Sequence, residues 1–259
     1  MLHESAQKPS GDDTSAVARS VALSVAAPAF NEVEGIESVV RRWCACLRNS
    51  GEAFEIVICD DGSHDGTGEV LQRLQAEIPE LRVFGRERNR GYGSAMKFAI
   101  AQCQGDVVAT LDSDGQFLAE DAIAMFQALR SSGGEAVLGY RVRKNDTWLR
   151  RLADRALNLI VRLLFGIRVH DSNCALKVIN RPILQQLTLE ATGFAFPTEV
   201  CVKILKYGAR CQQWPVQHAE RQSGTSKLRV WRVGWQTFKF LLYLRCRLSL
   251  FRARILQDF

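Results

Sequence analysis

The chain has 259 residues, 47% hydrophobic and 24% charged, which fits one α/β domain with an appendage better than two equal domains. Its formal charge of +6 gathers as Arg and Lys at 141–168 and 221–254, which points to an anionic surface or substrate on one side. Nucleic acid is not the expected partner, since neither zinc-finger spacing nor an RNA-binding aromatic signature is present, and one close cysteine pair, Cys44-x-Cys46, with scattered His3, His64, His170 and His218, argues against tetrahedral zinc.

Residues 1–19 are polar, with Pro9-Ser10-Gly11-Asp12-Asp13, and read as a mobile tail. Residues 21–27 read as a buried first strand ended by Pro28. A helix is expected to start near Asn31-Glu32, because Ile36, Val39, Val40, Trp43 and Leu47 keep helical spacing until Asn49-Ser50-Gly51. Residues 54–59 form the second strand and run into Asp60-Asp61-Gly62-Ser63. Asp65 is placed to cap a helix carrying Val70, Leu71, Leu74 and Ile78, which Pro79 ends. A third strand at 81–84 leads through Asn89-Arg90-Gly91-Tyr92-Gly93 to a helix with Ala95, Met96, Phe98, Ala99 and Ile100, then to a fourth strand at 106–111. Four such repeats predict a parallel sheet covered on both faces, with right-handed crossovers.

The rhythm continues with a helix beyond Asp121 and a strand at 135–139. Residues 148–165 read as an amphipathic helix whose Arg150, Arg151, Arg155 and Arg162 are taken as surface, along with Arg168. Residues 228–255 mix Trp231, Trp235, Phe238 and Leu242 with Arg229, Arg232, Lys239, Arg245 and Arg247. That pattern suits a helix lying in a membrane interface or one packed on the domain. No stretch reads as a signal peptide, so the eight cysteines are expected as reduced thiols of a cytosolic protein. No run reaches the roughly 18 apolar residues of a spanning helix, so membrane contact is expected to be peripheral, at the cytosolic face, or through a partner.

The fourth strand delivers Asp112-Ser113-Asp114-Gly115-Gln116 to its C-terminal end, where open α/β sheets bind ligands. Two carboxylates at i and i+2, with an amide two residues on, offer hard oxygen ligands to Mg²⁺ or Mn²⁺, metals that commonly bridge proteins to substrate phosphates. A nucleotide or sugar-nucleotide diphosphate is the matching substrate. On its own the triplet also fits an acidic turn.

Taken in order, Pro28-Ala29-Phe30-Asn31-Glu32, the loop opened by Asp60-Asp61, Asn89-Arg90-Gly91-Tyr92-Gly93 and Asp112-Ser113-Asp114-Gly115-Gln116 resemble the donor site of family 2 glycosyltransferases. Gly139-Tyr140-Arg141 and residues 171–177, 193–199 and 220–228 resemble later motifs of one branch, the polyprenyl-phosphate (dolichyl-phosphate) mannosyltransferases. Phe30 stands where that family usually has Tyr, and Asn173-Cys174-Ala175 replaces its usual Gly-Gly/Ser-Phe. The resemblance implies a GT-A-type, Rossmann-like, mostly parallel sheet flanked by helices over 20–227, with 228–259 as a basic amphipathic helical extension.

By that resemblance Pro28, Phe30, Glu32, Cys59 and Asp61 hold the nucleoside, Asp61 accepting from the base, and Ser113 and Lys177 complete the donor site. Asp112, Asp114 and Gln116 form the shell of Mg²⁺ or Mn²⁺, Asp114 and Gln116 directly and Asp112 directly or through water. Arg141, Lys177, Arg221 and Lys227 resemble the family's phosphate-binding cations, a role that suits the planar guanidinium fork. Catalysis is expected to rest on Asp112, Asp114, Arg141, Arg221 and Lys227. Gly62, Gly66, Gly91 and Gly93 are explicable as turn residues or as points of close backbone approach.

The implied reaction is inverting transfer of a hexose, mannose foremost, to a polyprenyl phosphate; the sequence does not distinguish GDP-mannose from UDP-glucose or another donor. A glycan or lipid hydroxyl acceptor, or a non-catalytic subunit, are the alternatives. An ionised phosphate acceptor needs no general base, whereas a hydroxyl does; Glu199 is the candidate for acceptor organisation or structural support. Expected partners are the nucleotide diphosphate sugar, the polyprenyl phosphate, a membrane surface or membrane protein, and, as a further option, a second copy of the chain.

Overall fold

The computed structural model describes residues 21–142, 148–219 and 230–252. Four times in succession a strand feeds a helix: β1 (Leu23–Ala29) to α1 (Ile36–Asn49), β2 (Phe54–Asp60) to α2 (Thr67–Glu77), β3 (Leu81–Gly85) to α3 (Tyr92–Gln102), and β4 (Val107–Thr110) to α4 (Ala119–Ser132). Then come β5 (Ala136–Arg141), α5 (Trp148–Phe165), β6 (Lys177–Asn180), α6 (Arg181–Gln186), α7 (Phe196–Tyr207), β7 (Cys211–Val216) and α8 (Val230–Arg252). The strands form one sheet in the order β3-β2-β1-β4-β6-β5-β7. It is parallel except for β6, which runs against both β4 and β5.

The central strands are buried on both faces, which explains why β1 and β2 read as continuous apolar runs. Leu23, Val25, Ala27, Ile56 and Ile58 pack with α1, α2 and α4, while Ala26, Val57, Cys59 and Val108 pack with α3, α6 and α7. α1 buries Ile36, Val39, Val40, Trp43 and Leu47, the stripe its spacing predicts. Each such large aliphatic side chain contributes about 1.5–3 kcal/mol. A third cluster joins Val161 and Phe165 of α5, Val202 of α7, and Leu241, Leu244 and Leu248 of α8.

The structure corrects several boundaries. Pro28 does not end β1, which continues to Ala29. The β1–β4 ladder stops at Ala26, so the missing N–H of Pro28 falls beyond it and costs no bond. The first helix starts at Ile36 rather than at Asn31, whose left-handed φ of 55° cannot continue into a helix. β6, α6 and β7 are elements that the periodicity did not announce.

Candidate active site

Parallel strands bring their C-terminal ends to one edge of the sheet, and the loops after β1, β2 and β4 are tied together there. Asp61 N–H donates to Ala29 O (2.9 Å), Leu111 N–H to Ala26 O (3.0 Å), and Ser113 Oγ to Pro28 O (2.7 Å). Asn31 N–H donates to Ser63 Oγ (2.9 Å) and Glu32 N–H to Thr67 Oγ1 (2.9 Å). These bonds tie Ser113 to Pro28, and the backbone on either side of Phe30, at Ala29, Asn31 and Glu32, to the loop after β2. The ring of Phe30 lies 5.9 Å from that of His64, tilted by 57°.

The two acids after β2 have separate partners. Asp60 accepts from Ser63 N–H and Oγ, a turn-forming role. Asp61 is buried and accepts from Arg90 N–H (3.0 Å), Gly91 N–H (2.8 Å) and Arg86 Nη1 (3.1 Å). Its carboxylate therefore clamps the 86–91 segment, and a base would have to share it. The Cys59 side chain packs in the core against α3, with burial pushing its thiol up to about 11, so any nucleoside contact there falls to its backbone.

At the end of β4, Asp112 and Asp114 share one loop. Asp112 Oδ1 accepts from Tyr92 Oη at 2.7 Å. Burial and, second, repulsion from Asp114 push the Asp112 carboxyl up to about 7. Asp114 Oδ1 accepts from Gln116 N–H (3.1 Å). Gln116 Nε2 donates to Ala219 O (3.2 Å) and Ala219 N–H to Gln116 O (2.9 Å), which leaves the amide oxygen of Gln116 as its remaining donor of lone pairs. Ala219 leads directly into the segment with Arg221 and Lys227, both of which lie outside the described residues.

Antiparallel β6 places its first residue, Lys177, opposite Thr110 and so beside the site. Lys177 is buried, its Nζ donates to Cys174 O, and burial lowers its pKa. Arg141, at the end of β5, grips Asp171 through Nε (2.7 Å) and Nη2 (3.1 Å) and reaches Asp154 (3.2 Å). Burial works against its charge, yet the Asp171 hydrogen bonds and the charges of Asp171 and Asp154 outweigh it and raise its pKa. Arg141 and Lys177 are thus built into the wall behind the loop.

Glu199 is fully buried; it accepts from Glu190 N–H (2.8 Å) and Ala191 N–H (2.7 Å) and pairs with Lys203 at 3.1 Å. Its role is to hold the 190–191 turn. Sequence reasoning gave Tyr92 no role of its own; its signal was a tyrosine flanked by two glycines at the start of α3.

Residues 24–188 match the model of the family described as Glycosyl transferase family 2. The chain belongs to that family. This family 2 member is 31% identical over 207 residues to undecaprenyl-phosphate 4-deoxy-4-formamido-L-arabinose transferases of Edwardsiella ictaluri and Pectobacterium atrosepticum, a match covering 79% of this chain and 62% of each relative. It thus spans about three-fifths of the length of these relatives. In structure it resembles glucosyl-3-phosphoglycerate synthase from Mycobacterium tuberculosis, solved in complex with UDP (TM-score 0.67, 21% identity, 87% of this chain and 80% of that one). The form with Mn²⁺ and UDP-glucose gives a TM-score of 0.65 at 21% identity, over 87% and 79% of the two chains. The fold is the GT-A type that the family resemblance implied.

Proposed function

We propose that this chain moves a sugar from a nucleotide diphosphate to a polyprenyl phosphate with inversion, using a divalent cation at the end of β4. The observation that carries this reading is the 112–116 loop, which sets two carboxylates and an amide oxygen at the ligand-binding edge of the sheet. Among the described residues no three His, Cys, Asp or Glu side chains form a cluster able to hold a metal by themselves. A sparse oxygen set of this kind fits Mg²⁺ or Mn²⁺, which completes its coordination with water and substrate phosphates. The raised pKa of Asp112 fits as well, because two crowded carboxylates favour a neutralising cation. When bound, such a cation supplies Lewis-acid stabilisation of charge on the departing nucleotide diphosphate.

The chain's own residues position the substrates. Phe30 offers a ring face to the base, beside His64. Arg141 and Lys177 set the electrostatic background from inside the wall, and Arg221 and Lys227 are the cations assigned to phosphate. For the acceptor, the relatives' names specify undecaprenyl phosphate. Glu199, the carboxylate singled out for a hydroxyl acceptor, is engaged by two backbone N–H groups and Lys203, and an ionised phosphate needs no base. Both points favour the phosphate. For the donor, the relatives' names carry formamido-arabinose and the structural neighbour binds UDP-glucose, so UDP-linked sugars rank before GDP-mannose, and mannose has no support among them.

No described helix is long and apolar enough to cross a membrane. Contact with the membrane that carries the acceptor is assigned to α8, where Trp231 and Trp235 are exposed alongside Arg232 and Lys239. The test of the metal reading is Asp114→Ala in the full chain. Transfer should fall at least about 100-fold with the unfolding midpoint retained, and full activity would remove the metal argument.

A further inference from the structure

The Gly91-Tyr92-Gly93 motif is explained by none of the roles above. Both glycines lie against protein backbone. A Cβ on Gly91, whose φ is +99°, would lie 2.5 Å from Thr192 O, and one on Gly93 would lie 2.5 Å from Ala191 O. The two glycines therefore let the 191–193 backbone lie directly over the start of α3, where Ser94 N–H also donates to Thr192 O at 3.1 Å. That overlay sets Phe194 on the Tyr92 ring, with centroids 5.4 Å apart and planes within 18°, while Phe196 meets the same ring edge-on at 6.4 Å. The overlying turn is fixed in its own right by the buried Glu199 carboxylate. Tyr92 is thus a side chain held on two sides, with its hydroxyl directed at one oxygen of Asp112.

We infer that Tyr92 is a positioning residue for the divalent cation: by donating to Asp112 Oδ1 it fixes the carboxylate's rotation and leaves Oδ2 to face the cation. The inference rests on the metal reading proposed above and assigns a supporting contact to it. A carboxylate ligand that is free to rotate must be ordered when the cation binds, whereas one already held by a hydrogen bond does not; such supporting contacts are worth about 10–100-fold in metal affinity. The seat for the ring also gives the glycine motif a purpose, the packing of protein backbone on protein backbone.

The test is a Mn²⁺ titration of the full chain in the presence of UDP, followed by the electron paramagnetic resonance signal of free Mn²⁺, with thermal unfolding run in parallel. Tyr92→Phe removes one oxygen and keeps the ring stack. It should bind Mn²⁺ about tenfold more weakly with an unchanged melting temperature. Phe194→Ala, at a side chain 45% exposed, keeps the hydroxyl but removes its stacking partner and should also weaken Mn²⁺ binding, by a smaller factor; it carries the test if Tyr92→Phe does not fold. Equal affinity in wild type and the folded variants would overturn the role of Tyr92 while leaving the metal site standing. Absence of Mn²⁺ binding by the wild-type chain would instead overturn the metal reading itself.

Discussion

Asp112 and Asp114 crowd each other in a half-buried loop, and the energetic consequence is a pH dependence with a definite sign. Burial and the neighbouring Asp114 push the Asp112 carboxyl up to about 7, whereas an aspartate in an unfolded chain ionises at about 3.9. Between those values the folded protein holds a proton that the unfolded chain has released. The stabilisation from this group is fully present below about 4 and is lost as pH rises through about 7. A cation selects the ionised carboxylate, so the rise in melting temperature on adding Mn²⁺ should be larger at pH 8 than at pH 6. An equal rise at both values, read by thermal unfolding, would contradict the coupling. The acids themselves were legible in the sequence, because a strand end followed by Asp-x-Asp-x-Gln is a local pattern. The surroundings of Arg141, Lys177 and Cys59 were not: their partners Asp171, the Cys174 carbonyl and the α3 face are supplied by the tertiary fold.

The 190–194 turn joins three helices. Glu199 and Lys203 of α7 hold it from below, and Glu190 accepts from Tyr243 Oη (2.7 Å) and Arg247 Nη1 (2.6 Å) of α8. Removing Glu199 leaves the Glu190 and Ala191 N–H groups without their acceptor and Lys203 with Glu190 as counter-charge, so Glu199→Ala should cost about 3–5 kcal/mol in chemical denaturation. A loss below about 1 kcal/mol would mean that the turn is held by other contacts. α8 has two faces: Leu241, Leu244 and Leu248 pack inward, while Trp231 and Trp235 stay exposed. The double variant Trp231→Asp/Trp235→Asp should keep its melting temperature and bind anionic vesicles at least about tenfold more weakly. Undiminished flotation with vesicles would remove α8 as the contact. Sequence pattern gave α1 and α5 well, since their apolar spacing is strong. It missed β6, only four residues long, and β7, an edge strand that contains Gln212, Gln213 and Pro215 and so lacks an apolar run.

At the scale of the molecule, one architectural decision places the chemistry. Repeated strand-helix units send the loops after β1, β2 and β4 to one edge, and the reversal of β6 then brings Lys177 back to that edge. The repeat was readable because its period switches between strand and helix at each loop; the reversal was not, because direction in a sheet is decided by pairing. The helical layer of α5, α7 and α8 completes the body with its own apolar cluster, so the C-terminal helix is packed on the domain along one face. The central claim is transfer from a nucleotide diphosphate sugar to a polyprenyl phosphate, and one assay addresses it. Full-length protein is incubated with Mg²⁺ or Mn²⁺ and labelled UDP-sugars or GDP-mannose, each with and without polyprenyl phosphate, and label is counted in the organic phase. Label should enter that phase only when both the cation and polyprenyl phosphate are present, with a UDP-sugar as donor; transfer that persists in chelator, or that occurs only to a hydroxyl acceptor, would contradict the account.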